Sequence, residues 1–167
     1  MLYWVHSMPI DLKTKLNTEL PDDISLTEEQ IDKFCAHYDL LVRKNPECFL
    51  VSKTEAEDPF ARQYVDCLYT VEFAKELAKD QPVFDIGTGG GFPGMLFGIL
   101  TNQDITLYEK DKMKREFLVI AKEKLKLNNI YIEATALPTL PKGLYFARAF
   151  THIKRIYKRF KLLVESG

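Results

Sequence analysis

A short apolar strand-like run, Val83-Phe84, leads into Asp85-Ile86 and then into glycines at 87, 89, 90, 91 and 94, with Phe92-Pro93 before the last of them. A turn this poor in side chains lets backbone approach a ligand closely and opens onto a helix N-terminus. One acid, Asp85, stands before the turn, and a second, Glu109, stands about one strand–helix–strand unit later. Such a pair around a glycine turn suits a cofactor that carries a nucleoside. Two classes fit the spacing. Gly89-x-Gly91-x-x-Gly94 satisfies the dinucleotide fingerprint, with Glu109 as its ribose-binding acid. Asp85-x-Gly87-x-Gly89-x-Gly91 equally satisfies the acid–glycine pattern of S-adenosylmethionine enzymes. In that second reading Asp85 sits near the sulfonium and amino group, and Glu109, at an exposed strand end, accepts from both ribose hydroxyls. A carboxylate at Asp85 would repel a pyrophosphate, which favours the methyl donor. A purely structural turn explains the glycine density poorly.

The elements that must position this turn follow from periodicity. A short helix is expected over Leu12–Leu20, stopped by Pro21. Thr27-x-x-Gln30 is a capping box with Leu26 and Ile31 as a hydrophobic staple. Ile31, Phe34, Cys35, Tyr38, Leu41 and Val42 then mark a buried helical stripe that Asn45-Pro46 should end. A loop is expected over 46–57. Asp58 and Pro59 should open the next helix, which carries Phe60, Tyr64, Leu68 and Val71 to about Ala78. Strands are expected near 82–86, 104–109, 129–134 and 143–148, with helices near 93–101, 111–127 and 152–164. That alternation implies a parallel sheet covered by helices. The expected core includes Phe84, Ile86, Leu96, Ile99, Ile105, Leu107, Phe117, Leu118, Ile120, Leu125, Ile130, Ile132, Leu144 and Phe146.

The fold class is therefore α/β, a Rossmann-like sheet (81–167) preceded by a helical segment (1–80) packed on the same domain. A length of 167 residues fits one domain. No apolar run approaches the roughly 18 residues that a membrane span needs. The start of the chain lacks the marks of a secretory leader, and Cys35, Cys48 and Cys67 form no CxxC pair, so neither a disulfide framework nor a zinc site is expected. A cytoplasmic protein without a metal is the expectation. The net charge of −1 conceals a division: residues 1–100 hold 9 Lys and Arg against 17 Asp and Glu, and residues 101–167 hold 14 against 7. A basic C-terminal part suits phosphate, although charged helix faces give the same composition. His6, His37 and His152 stand far apart and read as surface or packing residues.

Together these residues resemble the bacterial glucose-inhibited division protein B family, the guanine-N7 methyltransferases of small-subunit ribosomal RNA. The resemblance rests on Ile24-Ser-Leu-Thr27, Tyr38-x-x-Leu41-Val42, Arg62-x-x-x-Asp66-x-Leu68 and Asp85-Ile-Gly-Thr-Gly-Gly-Gly-Phe-Pro-Gly94. It continues through Thr106-Leu-Tyr-Glu109, Lys114-Arg-x-Phe-Leu118, Leu125-x-Leu-x-Asn-Ile130 and Arg148-Ala-Phe150. The chain departs from the family at Phe49-Leu50-Val51, at Gln63 and Cys67 beside Asp66, and at Pro138-Thr139.

The resemblance implies a class I methyltransferase sheet with strand order 3-2-1-4 that lacks the family's C-terminal strands, S-adenosylmethionine as cofactor and 16S ribosomal RNA as partner. It implies a cofactor set of Asp85, Gly87, Thr88, Gly89, Gly91, Phe92, Pro93, Glu109, Lys110, Thr135, Ala136 and Arg148, with Arg148 also beside the reacting groups. RNA contacts are expected from Lys114, Arg115, Phe150, Lys154, Arg155, Lys158 and Arg159. Guanine N7 offers a lone pair and no proton, so its methylation needs orientation rather than a general base. A degenerate cofactor-binding member, acting as sensor or assembly partner, and an NAD-dependent oxidoreductase stand as alternatives. An apolar edge at the fourth strand raises the expectation of a homodimer.

Overall fold

The computed structural model describes residues 12–20, 22, 24–51, 60–79, 81–134 and 143–147. Two helices come first: α1 (Leu12–Thr18) and α2 (Glu28–Cys48). The capping box is present: Gln30 N donates to Thr27 Oγ1 at 3.2 Å, and Thr27 N donates to Gln30 Oε1 at 2.9 Å. Two of the four orphan N–H groups of the helix start are thereby satisfied. Asn45-Pro46 does not end α2. Pro46 lies inside its last turn, and the stop comes at Phe49, whose left-handed backbone (φ 48°) lets its N–H return to Asn45 O at 2.9 Å. Asn45 Oδ1 then accepts from Val51 N at 2.9 Å. The loop expected over 46–57 therefore begins only after Cys48, and residues 52–59, with the Asp58-Pro59 helix start, lie outside the described residues.

A π-helical segment (Phe60–Val65) runs into α3 (Asp66–Leu77). Then come β1 (Val83–Ile86), α4 (Gly94–Thr101), β2 (Ile105–Tyr108), α5 (Lys112–Leu125), β3 (Ile130–Glu133) and β4 (Leu144–Ala147). The sheet is parallel throughout, in the order β3-β2-β1-β4, with Asp85 in register with Leu107 and Phe146. Parallel strands buried by helices read as apolar runs, which is why these short strands were legible. Asn129 joins two of the elements, since its Nδ2 donates to Gly98 O and Gln103 O, each at 2.9 Å.

One hydrophobic cluster runs from Leu12 and Leu16 through Phe34, Leu41 and Tyr64 to Leu96, Leu107, Phe117 and Phe146. The N-terminal helices therefore share their core with the sheet. Some expectations about burial fail, and others hold only in part. Ile120 and Val42 are each about 40% exposed, because α2 and α5 bury a narrower stripe than their apolar content suggests. Ile86, the last residue of β1, is half-buried, and Ile132 is only partly buried but packs against the core. Cys35 is half-buried and Leu144 carries no described side chain. Among the described residues no helix is long and apolar enough to cross a membrane, and no cluster of His, Cys, Asp or Glu could hold a metal ion.

Candidate active site at the glycine turn

The turn that leaves β1 is fixed by hydrogen bonds along most of its length. Gly87 N and Thr88 N both donate to Tyr108 O, at 2.8 and 3.3 Å, which seats the turn on the carboxyl end of β2. Gly89 N donates to Glu109 Oε2 at 3.0 Å. Gly91 N and Phe92 N both donate to Thr88 O at 3.0 Å. Gly94 N, which opens α4, donates to Asp85 Oδ2 at 2.9 Å. Gly87, Gly89 and Gly91 have φ of 73°, 58° and 92°, a region that favours glycine.

The glycines divide by what they face. A side chain on Gly87 would meet nothing within 4 Å, so this residue borders open space. One on Gly90 would lie 2.9 Å from Leu41 Cδ1, and one on Gly91 3.0 Å from Met95 Cβ. One on Gly94 would collide with Leu107 and lie 2.6 Å from Asp85 Oδ2. Only Gly87 of these clears room in front of the sheet; Gly90, Gly91 and Gly94 let protein pack against protein.

Two acids also change role. Asp85 is 1% exposed and its carboxylate turns toward the start of α4, where an anion complements the helix N-terminus. It was expected to face the ligand. Glu109 was expected to be exposed, yet it is 7% exposed. Its two oxygens accept from Gly89 N and, at 2.9 Å, from Asp111 N. The carboxylate thus ties the glycine turn to the loop after β2. A carboxylate has about four lone-pair sites, so two bonds leave acceptor capacity for a further donor. Thr88 Oγ1 is buried and has no hydrogen-bond partner among the described residues.

Phe92 is buried against His37 and Tyr64, with ring centroids 5.2 Å away in each case, and belongs to the core rather than to a ligand face. Pro93 stands directly before α4, and Lys110 is exposed beside Glu109. Lys114 is half-exposed near the start of α5, where Asp111 caps the helix by accepting from Lys114 N. Arg115 was expected to contact RNA. Its Nη1 instead donates to Glu109 O at 2.8 Å and Lys110 O at 2.6 Å, so it braces the loop behind Glu109. Thr135, Ala136, Arg148, Phe150, Lys154, Arg155, Lys158 and Arg159 lie outside the described residues.

One residue read only as surface or packing stands directly behind the turn. His37 on α2 is fully buried, with Nε2 2.9 Å from Gly90 O and Nδ1 2.8 Å from Tyr64 Oη. Burial pushes its pKa down to about 4, and burial likewise raises the Tyr64 hydroxyl well above its ordinary value. Both groups stay neutral at physiological pH. The signal in the sequence was a histidine set among Phe34, Tyr38 and Leu41 on one helical face, where a polar ring must find partners.

With this geometry in view, the relatives of the chain fall into one class. Residues 30–167 match the family described as rRNA small subunit methyltransferase G. A ribosomal RNA small subunit methyltransferase G of Mycoplasma mycoides is 34% identical over 111 residues, which cover 66% of this chain and 80% of that protein. Its counterpart in Gluconobacter oxydans is 32% identical over 84% of this chain and 72% of its own length. That of Mesoplasma florum is 39% identical over 62% of this chain, and there the match spans 44% of the relative. The family match takes in the glycine turn, Glu109 and most of the helices behind them, and the chain belongs to the rRNA small subunit methyltransferase G family.

Proposed function

We propose that this chain binds S-adenosylmethionine at the glycine turn and methylates N7 of a guanine in 16S ribosomal RNA. Family membership supports the reaction class. The observation that carries the cofactor assignment is the state of the donors in the turn. A pyrophosphate needs free backbone N–H groups. Here the N–H groups of Gly87, Thr88, Gly89, Gly91, Phe92 and Gly94 all donate to protein acceptors, and two of those acceptors are carboxylates. Such a turn repels a dinucleotide phosphate and accommodates a cationic sulfonium ligand.

The residues present fit that ligand. S-adenosylmethionine supplies a methyl group activated by its sulfonium. Gly87 clears the space beside the sheet, Glu109 offers remaining acceptor sites to ribose hydroxyls, and Thr88 Oγ1 is a buried hydroxyl with no partner among the described residues. Lys110, exposed next to Glu109, belongs to the cofactor set, and Lys114, near the start of α5, suits an RNA phosphate. Arg148 belongs to the proposal through the family resemblance. A cytoplasmic setting follows from the substrate. The degenerate, non-catalytic reading is not favoured, since the turn and Glu109 are intact. Calorimetric titration tests the assignment: S-adenosylhomocysteine should bind and NAD should not. Binding of NAD with no response to S-adenosylhomocysteine would overturn it.

A further inference from the structure

We propose that His37, oriented by Tyr64, is a positioning residue for the cofactor: from the helical segment it sets the glycine turn in its binding geometry before the ligand arrives. The inference rests on the reading of the turn as the S-adenosylmethionine site. Bond chemistry fixes the direction of each contact. The Gly90 carbonyl can only accept, so His37 Nε2 carries the proton and donates to it. A neutral imidazole then offers Nδ1 as acceptor, and the Tyr64 hydroxyl donates to that nitrogen. The result is one chain of hydrogen bonds, Tyr64 O–H to His37 to Gly90 O, wholly inside the protein. The low pKa of His37 agrees with it, because a protonated ring would lose the bond from Tyr64.

The target of this chain is the peptide between Gly90 and Gly91. Its carbonyl is held by His37 and its N–H by Thr88 O. Two peptides earlier, the N–H of the Thr88–Gly89 peptide is held by Glu109 through Gly89 N. Glycine loses more conformational freedom than any other residue when it is fixed. Three glycines in a row at 89–91 would otherwise have to be ordered by the ligand, at the expense of affinity. His37 and Glu109 order them in advance, through Gly90 O and Gly89 N. Rings pack edge-on around the imidazole, with Phe92 at 5.2 Å and Tyr64 at 6.0 Å between centroids. They exclude the water that would compete for Gly90 O.

The test compares His37→Phe, His37→Gln and Tyr64→Phe in the full chain by titration with S-adenosylhomocysteine, by KM and kcat, and by amide exchange in the free protein. His37→Phe keeps a ring and loses both bonds. It should weaken binding about tenfold and raise KM for S-adenosylmethionine in step, with kcat at saturation nearly unchanged, as expected when pre-organisation is lost. The amides of Gly89 and Gly91 should exchange faster. His37→Gln, whose amide can donate to Gly90 O, should recover most of the affinity. Wild-type binding and KM in a folded His37→Phe variant, or a His37→Gln variant as weak as His37→Phe, would overturn the proposal. Should His37→Phe not fold, Tyr64→Phe decides: roughly threefold weaker binding supports the relay and unchanged binding overturns it. A wild type that fails to bind S-adenosylhomocysteine would instead refute the cofactor assignment, and the exchange rates at Gly89 and Gly91 would then judge the positioning role by itself.

Discussion

Replacing Glu109 with alanine probes the site and the fold together, because the same carboxylate serves both. Its oxygens accept from Gly89 N at 3.0 Å and Asp111 N at 2.9 Å, and the residue is 7% exposed. In Glu109→Ala the buried Gly89 N–H loses its acceptor, which costs about 1–3 kcal/mol. Asp111 is exposed, so water can satisfy its N–H and the loss there is ~0.5 kcal/mol. Relief of the desolvation of a buried carboxylate offsets part of this, leaving a net loss of about 2 kcal/mol. Domains of this kind are stable by about 5–15 kcal/mol, so the variant should fold. With a urea slope near 2 kcal/mol/M the unfolding midpoint should fall by about 1 M. Affinity for S-adenosylhomocysteine should fall separately, by about tenfold to a hundredfold, for a lost charged hydrogen bond to the ribose. Glu109→Gln sharpens the result, since its amide can accept from one of the two N–H groups while presenting a second donor to the other. An unshifted midpoint together with unchanged affinity would show that Glu109 neither ties the turn nor meets the ligand.

Four further outcomes follow from the geometry. Gly87→Ala places a methyl in open space at φ 73°, so it should destabilise by only about 1–2 kcal/mol while abolishing detectable S-adenosylhomocysteine binding in calorimetry. Gly94→Ala forces a methyl onto Leu107 and Asp85 and should destabilise by about 3 kcal/mol or more, read as a lower urea midpoint. The folded pKa of His37 is lowered from 6.5 to about 4, so its contribution is complete above pH 6.5 and is lost as pH falls toward 4. Stability should therefore drop by about 2 kcal/mol between pH 6.5 and 5 from this residue, and urea titrations of His37→Gln should lack that component. β4 ends the described part of the sheet, and a second copy covering that edge would give twice the monomer mass in sedimentation at micromolar concentration, whereas a clean monomer would refute the dimer.

The architecture was legible because its signals are local. Strands β1 to β4 are apolar runs bounded by turns, Thr27-x-x-Gln30 marks the start of α2, and the glycine run announces the turn. The end of α2 was misread because Pro46, which cannot donate to the carbonyl four residues before it, was expected to stop the helix; the helix runs past it, and the actual stop is the left-handed Phe49. The position of the site was also legible, but not which way its groups point. Sequence spacing brings Asp85 and Glu109 to the carboxyl ends of adjacent strands. It does not reveal that Asp85 caps α4 or that Glu109 is drawn inward by Gly89. Arg115 read as a surface cation until its contacts with two loop carbonyls were seen. His37 is 53 positions from Gly90, and no local pattern encodes a contact over that distance.

The central claim is most directly tested by incubating the purified protein with S-adenosylmethionine and unmethylated small-subunit ribosomal RNA, then identifying the nucleosides by mass spectrometry. We predict a single new 7-methylguanosine, reduced in the Glu109→Ala variant. Methylation at another atom or another base, or RNA left unmethylated by a protein that binds S-adenosylhomocysteine, would contradict it.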